Sequence, residues 1–170
     1  MPVRYAVLLQ TLGTEGSPTG TAAATRTVRA VRLAERVSER LRAPTEARDL
    51  ARLAARHRAT VHRADALRPA EWLELFAAAD ALRRPERLAG LVDACECDAL
   101  PATSAGDAYP PRAVVDAAFG VVREVDAGAA AMAAIAAAAK AGAPAGSDAI
   151  AKAVRAARLA ALRRWRRDRG

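Results

Sequence analysis

The chain has 170 residues and a mass of 17.8 kDa, enough for one domain or two small ones, with a core that needs no disulfide or metal staple. Hydrophobic residues make up 52%, which excludes wholesale disorder. Much of that share is alanine and only 4% is aromatic, so helices are favoured by propensity while each residue buries little area. The formal net charge is +8, and no stretch of large apolar residues is long enough for a membrane span or fits a secretory signal. A cytoplasmic protein is expected.

The pattern opens with an apolar run from Val3 to Leu9, expected to be helical, and Gly13 ends it. Gly13 to Gly20 reads as loop. From Thr21, Val28, Val31, Ala34, Val37 and Leu41 recur every three or four residues, the period of a helix with one buried face. Pro44 stops that helix and Thr45 is placed to cap the next, whose stripe is Leu50, Leu53, Ala54, His57 and Val61. Asp65 and the Arg68-Pro69 step open a third helix carrying Trp72, Leu75, Phe76, Ala79 and Leu82. Pro85 suits the first turn of a fourth, with Leu88, Leu91, Val92 and Cys95 inward. Leu100 to Pro111 is rich in Pro, Gly and Ser and excludes regular structure. Val114, Val115, Ala118, Phe119 and Val122 mark a fifth helix. The alanine-rich stretch Ala129 to Lys140 is helical by propensity, with Met132 and Ile135 as its sizeable anchors. Gly142 to Gly146 breaks it, Ser147 is a candidate N-cap with Asp148 in the first turn, and Ile150, Val154, Ala157, Ala161 and Trp165 line one face of the last helix. No strand alternation occurs, so the fold class is all-α, a helical bundle.

The charge is concentrated in that last helix. Lys152, Arg155, Arg158, Arg163, Arg164, Arg166, Arg167 and Arg169, against Asp168 alone, give Lys152–Gly170 a net charge of +7. The rest of the chain carries 19 basic and 18 acidic groups and is a balanced surface. A localised, arginine-dominated face is the electrostatic footprint of nucleic-acid binding, because the guanidinium fork matches phosphate. Trp165, on the apolar stripe, is expected to anchor the helix rather than stack on bases.

Other chemistry finds no pattern. There is no glycine-rich phosphate loop followed by lysine, and no serine lies in a nucleophile elbow. Cys95 and Cys97 point in different directions on a helix and cannot pair with each other, and two thiols do not make a zinc site. Asp93, Glu96 and Asp98 are expected to be solvated. His57 and His62, five apart, do not share a face and are expected to be structural.

The ordered set of segments resembles bacterial CCA-adding tRNA nucleotidyltransferases of the type that carries an HD phosphohydrolase domain. It is carried by Ala43-Pro44-Thr45-Glu46-Ala47-Arg48-Asp49-Leu50-Ala51-Arg52-Leu53 through His62, by Leu75 to Arg87 with its Asp80 and Arg84-Pro85-Glu86-Arg87, by Tyr109-Pro110-Pro111, and by Arg158 to Trp165. On this resemblance residues 1–67 are a degenerate, truncated HD-like segment. Residues 68–170 are the C-terminal helical region, with the basic last helix over 147–169.

The resemblance implies that the nucleotidyltransferase head, where the family uses Mg²⁺ with CTP and ATP, is not part of these residues, so this chain alone is expected to be inactive in CCA addition and to need no cofactor. It also implies no metal at the HD position: Gln10 and Thr11 stand where the family has its His-Asp pair, ahead of Leu12-Gly13. Arg58 replaces the first histidine of a His-x-x-x-His pattern, of which His62 keeps the second. Amide, hydroxyl and guanidinium groups are poor replacements for imidazole and carboxylate at a metal. What the resemblance retains is the helical part that holds tRNA or other structured RNA by shape and phosphate, with Arg155, Arg158, Arg163, Arg164, Arg166 and Arg167 as the contacts. Possible partners beyond RNA are a separately encoded head and a second copy, since the opening apolar run is expected to be exposed. Two readings stand beside this one: a divergent HD phosphohydrolase or nucleotidyltransferase, and a structural helical protein with a basic interaction tail.

Overall fold

A computed structural model of the chain describes residues 2–10, 22–99, 108–142 and 144–169. The segment expected to form the first loop, Gly13–Gly20, together with Thr11 and most of the break after Leu100, lies outside the described residues. Among those described there are eight α-helices and no strand: α1 (Pro2–Gln10), α2 (Ala22–Arg40), α3 (Thr45–His62), α4 (Pro69–Ala78), α5 (Pro85–Ala99), α6 (Pro110–Arg123), α7 (Ala127–Lys140) and α8 (Ser147–Arg167), with a 3-10 turn at Ala64–Ala66 before α4. The all-α class follows from alanine and leucine propensity and from prolines set in the first turn of α1, α4, α5 and α6, where a missing N–H costs nothing.

Two helix ends use the left-handed region. Arg42 (φ 49) follows α2 and Asp80 (φ 54) follows α4. In each case the next amide reaches back to close the last turn, Ala43 to the Ser38 carbonyl at 2.9 Å and Ala81 to the Phe76 carbonyl at 2.9 Å, the pattern that satisfies orphan carbonyls. This moves α4's end to Ala78. Leu82, expected on its buried face, therefore lies in the turn and is exposed.

Two expected caps are also displaced by one residue. Thr45 and Ser147 are the first helical residues of α3 and α8, behind Pro44 and Gly146, and neither helix has a side-chain cap. Asp126 does cap α7, its carboxylate accepting from the Ala129 amide at 2.8 Å. Gly142 (φ 75) takes the chain out of that helix.

The contacts divide the chain into two units, and the divisions fall inside α4 and α6. The first unit comprises Met1–Leu67 and Leu75–Val114. In it α1 packs on α3 and α5, α2 on α3, and α3 on α5. Its core is built from Leu9, Leu53, Val61, Leu75, Phe76, Leu88, Leu91 and Val92, interleaved with alanines that let helices approach. At Gly90 α5 lies close against α3: a Cβ there would sit 3.3 Å from a Leu50 methyl. On α2 the buried row is Ala30, Ala34 and Ser38. Val28 and Leu41, expected inward, are exposed (51% and 65%), because the small residues set the face that meets α3. Tyr5 donates to the Ser38 hydroxyl at 3.0 Å, and Ser38 in turn donates to the Ala34 carbonyl at 2.6 Å.

The second unit comprises Arg68–Glu74 and Val115–Gly170. Here α7 packs along α8, and Trp72, Leu73, Val115, Ala118, Val122, Ala161 and Leu162 are buried. No residue of α7 is buried. Met132 and Ile135, expected as its anchors, are exposed (65% and 41%), since the face that α7 turns to α8 is made of alanines. Among the described residues no helix is long and apolar enough to cross a membrane.

Candidate nucleic-acid interface

The α8 helix is amphipathic by spacing. Val154, Ala157, Arg158, Ala161, Leu162 and Trp165 form its covered side. At 100° per residue, Lys152, Arg155, Arg163, Arg166 and Arg167 fall within about 120° of arc on the opposite side, and all five are exposed. From Arg155 to Arg167 this face runs for about 18 Å. The carbonyl end of the helix, where cations are favoured, carries Arg164, Arg166 and Arg167.

The six arginines expected to contact RNA are thus not one cluster. Arg155, Arg163, Arg166 and Arg167 are brought together on the open face. Arg158 lies on the flank of the covered side, half-buried, and its Nε is buried with no hydrogen-bond partner among the described residues. Arg164 is exposed but borders a groove between the end of α6 and α8 that also holds Glu124, Asp126 and Asp168, so its charge is set among carboxylates. Trp165 packs edge-to-face on Trp72 (6.3 Å between centroids, 81°), and the Arg169 guanidinium lies over the Trp165 ring at 4.7 Å. The indole therefore anchors α8, with the Arg169 guanidinium covering one of its faces.

The region that the HD resemblance singles out holds a polar cluster of a different kind. Gln10, at the end of α1, is 1% exposed. Its Nε2 donates to the Ala94 carbonyl at 3.1 Å and its Oε1 has no partner among the described residues. Thr11 lies outside the described residues. Arg58 and His62, one turn apart on α3, both face Asp98 of α5. The Arg58 Nε stands 2.6 Å from the Asp98 carboxylate, a contact that is ionic rather than a directed hydrogen bond. The His62 Nε2 is 3.3 Å from the same oxygen, and the Tyr109 hydroxyl is 2.8 Å from His62 Nδ1. A proton on Nε2 satisfies both contacts, with Nε2 donating to Asp98 and the tyrosine O–H donating to Nδ1. The two rings meet edge-on at 5.8 Å.

Asp93 and Glu96, expected to be solvated, are instead held by Arg112 of α6. Its Nη2 donates to Asp93 at 2.6 Å and to Glu96, and its Nε to Glu96 at 2.8 Å. Burial opposes the arginine's charge, but these bonds outweigh it and raise its pKa. Asp98 likewise is engaged rather than solvated.

These residues do not fit a divalent metal. Gln10 uses its amide nitrogen on the backbone, a guanidinium occupies the carboxylate of Asp98, and the imidazole of His62 is bonded on both nitrogens. Among the described residues no group of three or more His, Cys, Asp or Glu converges. Nearby, burial first and then Asp98 push the Cys95 thiol up to about 12, so it behaves as a small apolar side chain. Burial, then Arg56, lowers the pKa of His57. Its Nε2 is buried and unpartnered among the described residues. Cys95 is buried and Cys97 exposed, both as free thiols.

Sequence reasoning missed Asp98, Tyr109 and Arg112 as partners. They lie 36 residues or more from His62, or 16 to 19 from their carboxylates, distances at which no local pattern speaks. The one hint is Tyr109-Pro110-Pro111, which the resemblance marks as a landmark.

The chain is 41% identical over 134 residues to the multifunctional CCA protein of Aromatoleum aromaticum, covering 77% of this chain and 33% of that protein. The multifunctional CCA protein of Azoarcus sp. is 39% identical over 136 residues, 78% of this chain and 33% of the relative. That of Dechloromonas aromatica is 44% identical over 100 residues, 58% of this chain and 24% of the relative. The chain spans a third or less of the length of these curated relatives. No family model matches it, and no solved structure does.

Proposed function

From the premise that this chain is similar to the C-terminal part of the CCA-adding enzymes, we propose that it is an RNA-docking helical body that holds tRNA by its phosphates through α8. The observation that carries this is the exposed arc of Lys152, Arg155, Arg163, Arg166 and Arg167. Guanidinium groups set along about 18 Å of rigid helix form two-pronged bonds to phosphate without reading base edges, which suits a partner recognised by shape. Arg164 and Arg158 contribute charge at the margins.

Asp93 and Glu96, the carboxylates that come together on α5, are held by Arg112, which supports a role in binding RNA and not in chemistry on a nucleoside triphosphate. In this reading the chain binds and positions RNA in the cytoplasm, while the chemistry of CCA addition, with Mg²⁺, CTP and ATP, belongs to a nucleotidyltransferase head. A separately encoded head and a second copy of the chain are the partners proposed beside tRNA.

The test is binding to a tRNA transcript lacking its 3′ end, measured across salt concentrations. Each phosphate neutralised contributes about 0.7–0.9 to the slope of log affinity against log salt, so the five α8 contacts contribute about −4 to it. Replacing Arg155, Arg163, Arg166 and Arg167 with Gln is expected to flatten it by about 3. Unchanged binding in that variant, or a wild-type affinity indifferent to salt, rejects the proposal. Adding CTP, ATP and Mg²⁺ to the same mixture is expected to give no extension of the transcript. Labelled CMP on the RNA would show that the chain itself is a catalyst.

A further inference from the structure

A second arginine row lies on α2, in the part of the chain whose charges balance on average. Arg29, Arg32, Arg36 and Arg40 follow one another at intervals of three or four residues. At 100° per residue they occupy about 80° of arc over about 16 Å, and all four are exposed. They point away from the row Ala30, Ala34 and Ser38 that is buried in the first unit, and an open groove runs along their side of the helix.

Glu35 and Glu39 are within reach, three residues after Arg32 and Arg36. Opposite charges at that spacing are close enough to pair. They do so elsewhere in this chain, between Asp49 and Arg52 (3.8 Å), Arg68 and Glu71 (3.1 Å) and Asp80 and Arg83 (2.7 Å). On α2 no ion pair or hydrogen bond joins any of the four guanidinium groups to a described residue. Four cations held in line by a rigid element, with their forks unoccupied, form a surface for a polyanion.

We propose that this α2 row is a second phosphate-binding surface, engaging the backbone of the same structured RNA at a segment other than the one α8 holds. The inference rests on the RNA-docking reading of the chain. The chemistry favours RNA over a membrane. An amphipathic helix binds an anionic bilayer by burying its apolar face in lipid, whereas the apolar face of α2 is already packed on α3. One flank of the row carries Glu35 and Glu39, and of the large apolar residues of α2 only Val28 is exposed, Val31, Leu33 and Val37 being half-buried. All four cations are arginines, whose planar forks can grip phosphate oxygens in pairs.

The experiment uses the full chain and the same tRNA transcript. Arg29, Arg32, Arg36 and Arg40 are replaced together by Gln, which keeps helix propensity, with circular dichroism confirming the fold. Loss of the four contacts is expected to flatten the salt slope by about 3 and to weaken binding about 1,000-fold at 0.1 M salt. A Glu35→Gln/Glu39→Gln variant is expected to bind more tightly than wild type, which a merely structural role for α2 would not produce.

If wild type binds and the α8 variant is impaired while the α2 variant binds like wild type, this inference fails and the α8 reading stands. If wild type does not bind tRNA at all, both fall. Binding of the α2 row to vesicles of phosphatidylserine and phosphatidylcholine, but not to tRNA, would also overturn it.

Discussion

The two units of this molecule are both helical, but their helices persist for different reasons. In the first unit α3 and α5 are held by what they bury. Leu53, Val61, Leu88, Leu91 and Val92 are at most 6% exposed, and polar bonds tie helices that are far apart in sequence, as Gln10 ties α1 to the Ala94 carbonyl. In the second unit α7 has no fully buried residue, only half-buried alanines. It exists because alanine is the best helix former, because Asp126 caps it, and because α8 lies alongside. A helix supported mainly by propensity is marginal, while one supported by packing draws on about 1.5–3 kcal/mol for each large side chain it buries. The same alanine content that makes a helix certain leaves it with little to hold it in place.

The sharpest way to break this comparison is to empty the first core. Leu91→Ala, at a fully buried position of α5, is expected to cost about 2–5 kcal/mol in urea unfolding. A cost below 1 kcal/mol would mean that the packing of α3 and α5 is not what holds that unit together.

The next effect is electrostatic. Asp98→Ala leaves Arg58 without its carboxylate and His62 without its acceptor, and is expected to destabilise by about 1–3 kcal/mol. The double variant Asp98→Ala/Arg58→Met, which removes the stranded cation, is expected to recover part of that loss. Equal instability of the single and double variants would show that Arg58 is not paired.

A smaller effect comes with acid. His57 has its pKa lowered in the fold, so the unfolded chain takes up its proton first. The stability tied to the neutral ring is complete above the ordinary histidine pKa near 6.5 and is lost as pH falls below it. Urea midpoints at pH 7.5 and 5.5 are expected to differ more in wild type than in His57→Gln. Identical pH dependence in the two would remove His57 as the cause.

The smallest effect sharpens the contrast from the other side. Met132→Ala on α7 is expected to change stability by no more than about 0.5 kcal/mol. A larger cost, growing with protein concentration, would show that a second copy covers this face.

Much of the architecture was legible before any coordinates. Prolines 44, 69 and 85 and the glycines around 142–146 mark real boundaries, because a fixed φ or a missing N–H acts locally. Local spacing does not say which of two faces of a helix is buried. Val28 and Leu41 are larger than Ala30, Ala34 and Ser38, yet the small residues are inside, because α2 lies close against α3 and only small side chains fit that approach. Leu82 continues the helical spacing of α4, but the left-handed turn at Asp80 ends that helix before it. The α8 face was visible from spacing and charge alone. The α2 row was equally regular but vanished into an average, since its four arginines are balanced by acids elsewhere.

By itself the sequence determined that this chain is helical, where most of its helices begin and end, that its last helix is a cationic rod, and that it resembles part of the CCA-adding enzymes. These are properties of neighbours along the chain. Only the tertiary structure decided that Arg58 and His62 meet Asp98, that Tyr109 closes on His62, that Arg112 gathers Asp93 and Glu96, and that the α2 arginines pair with no described residue while Arg52, Arg68 and Arg83 do. Pairing depends on which side chains three-dimensional packing brings within about 3–4 Å, and residues dozens of positions apart carry no local record of that distance.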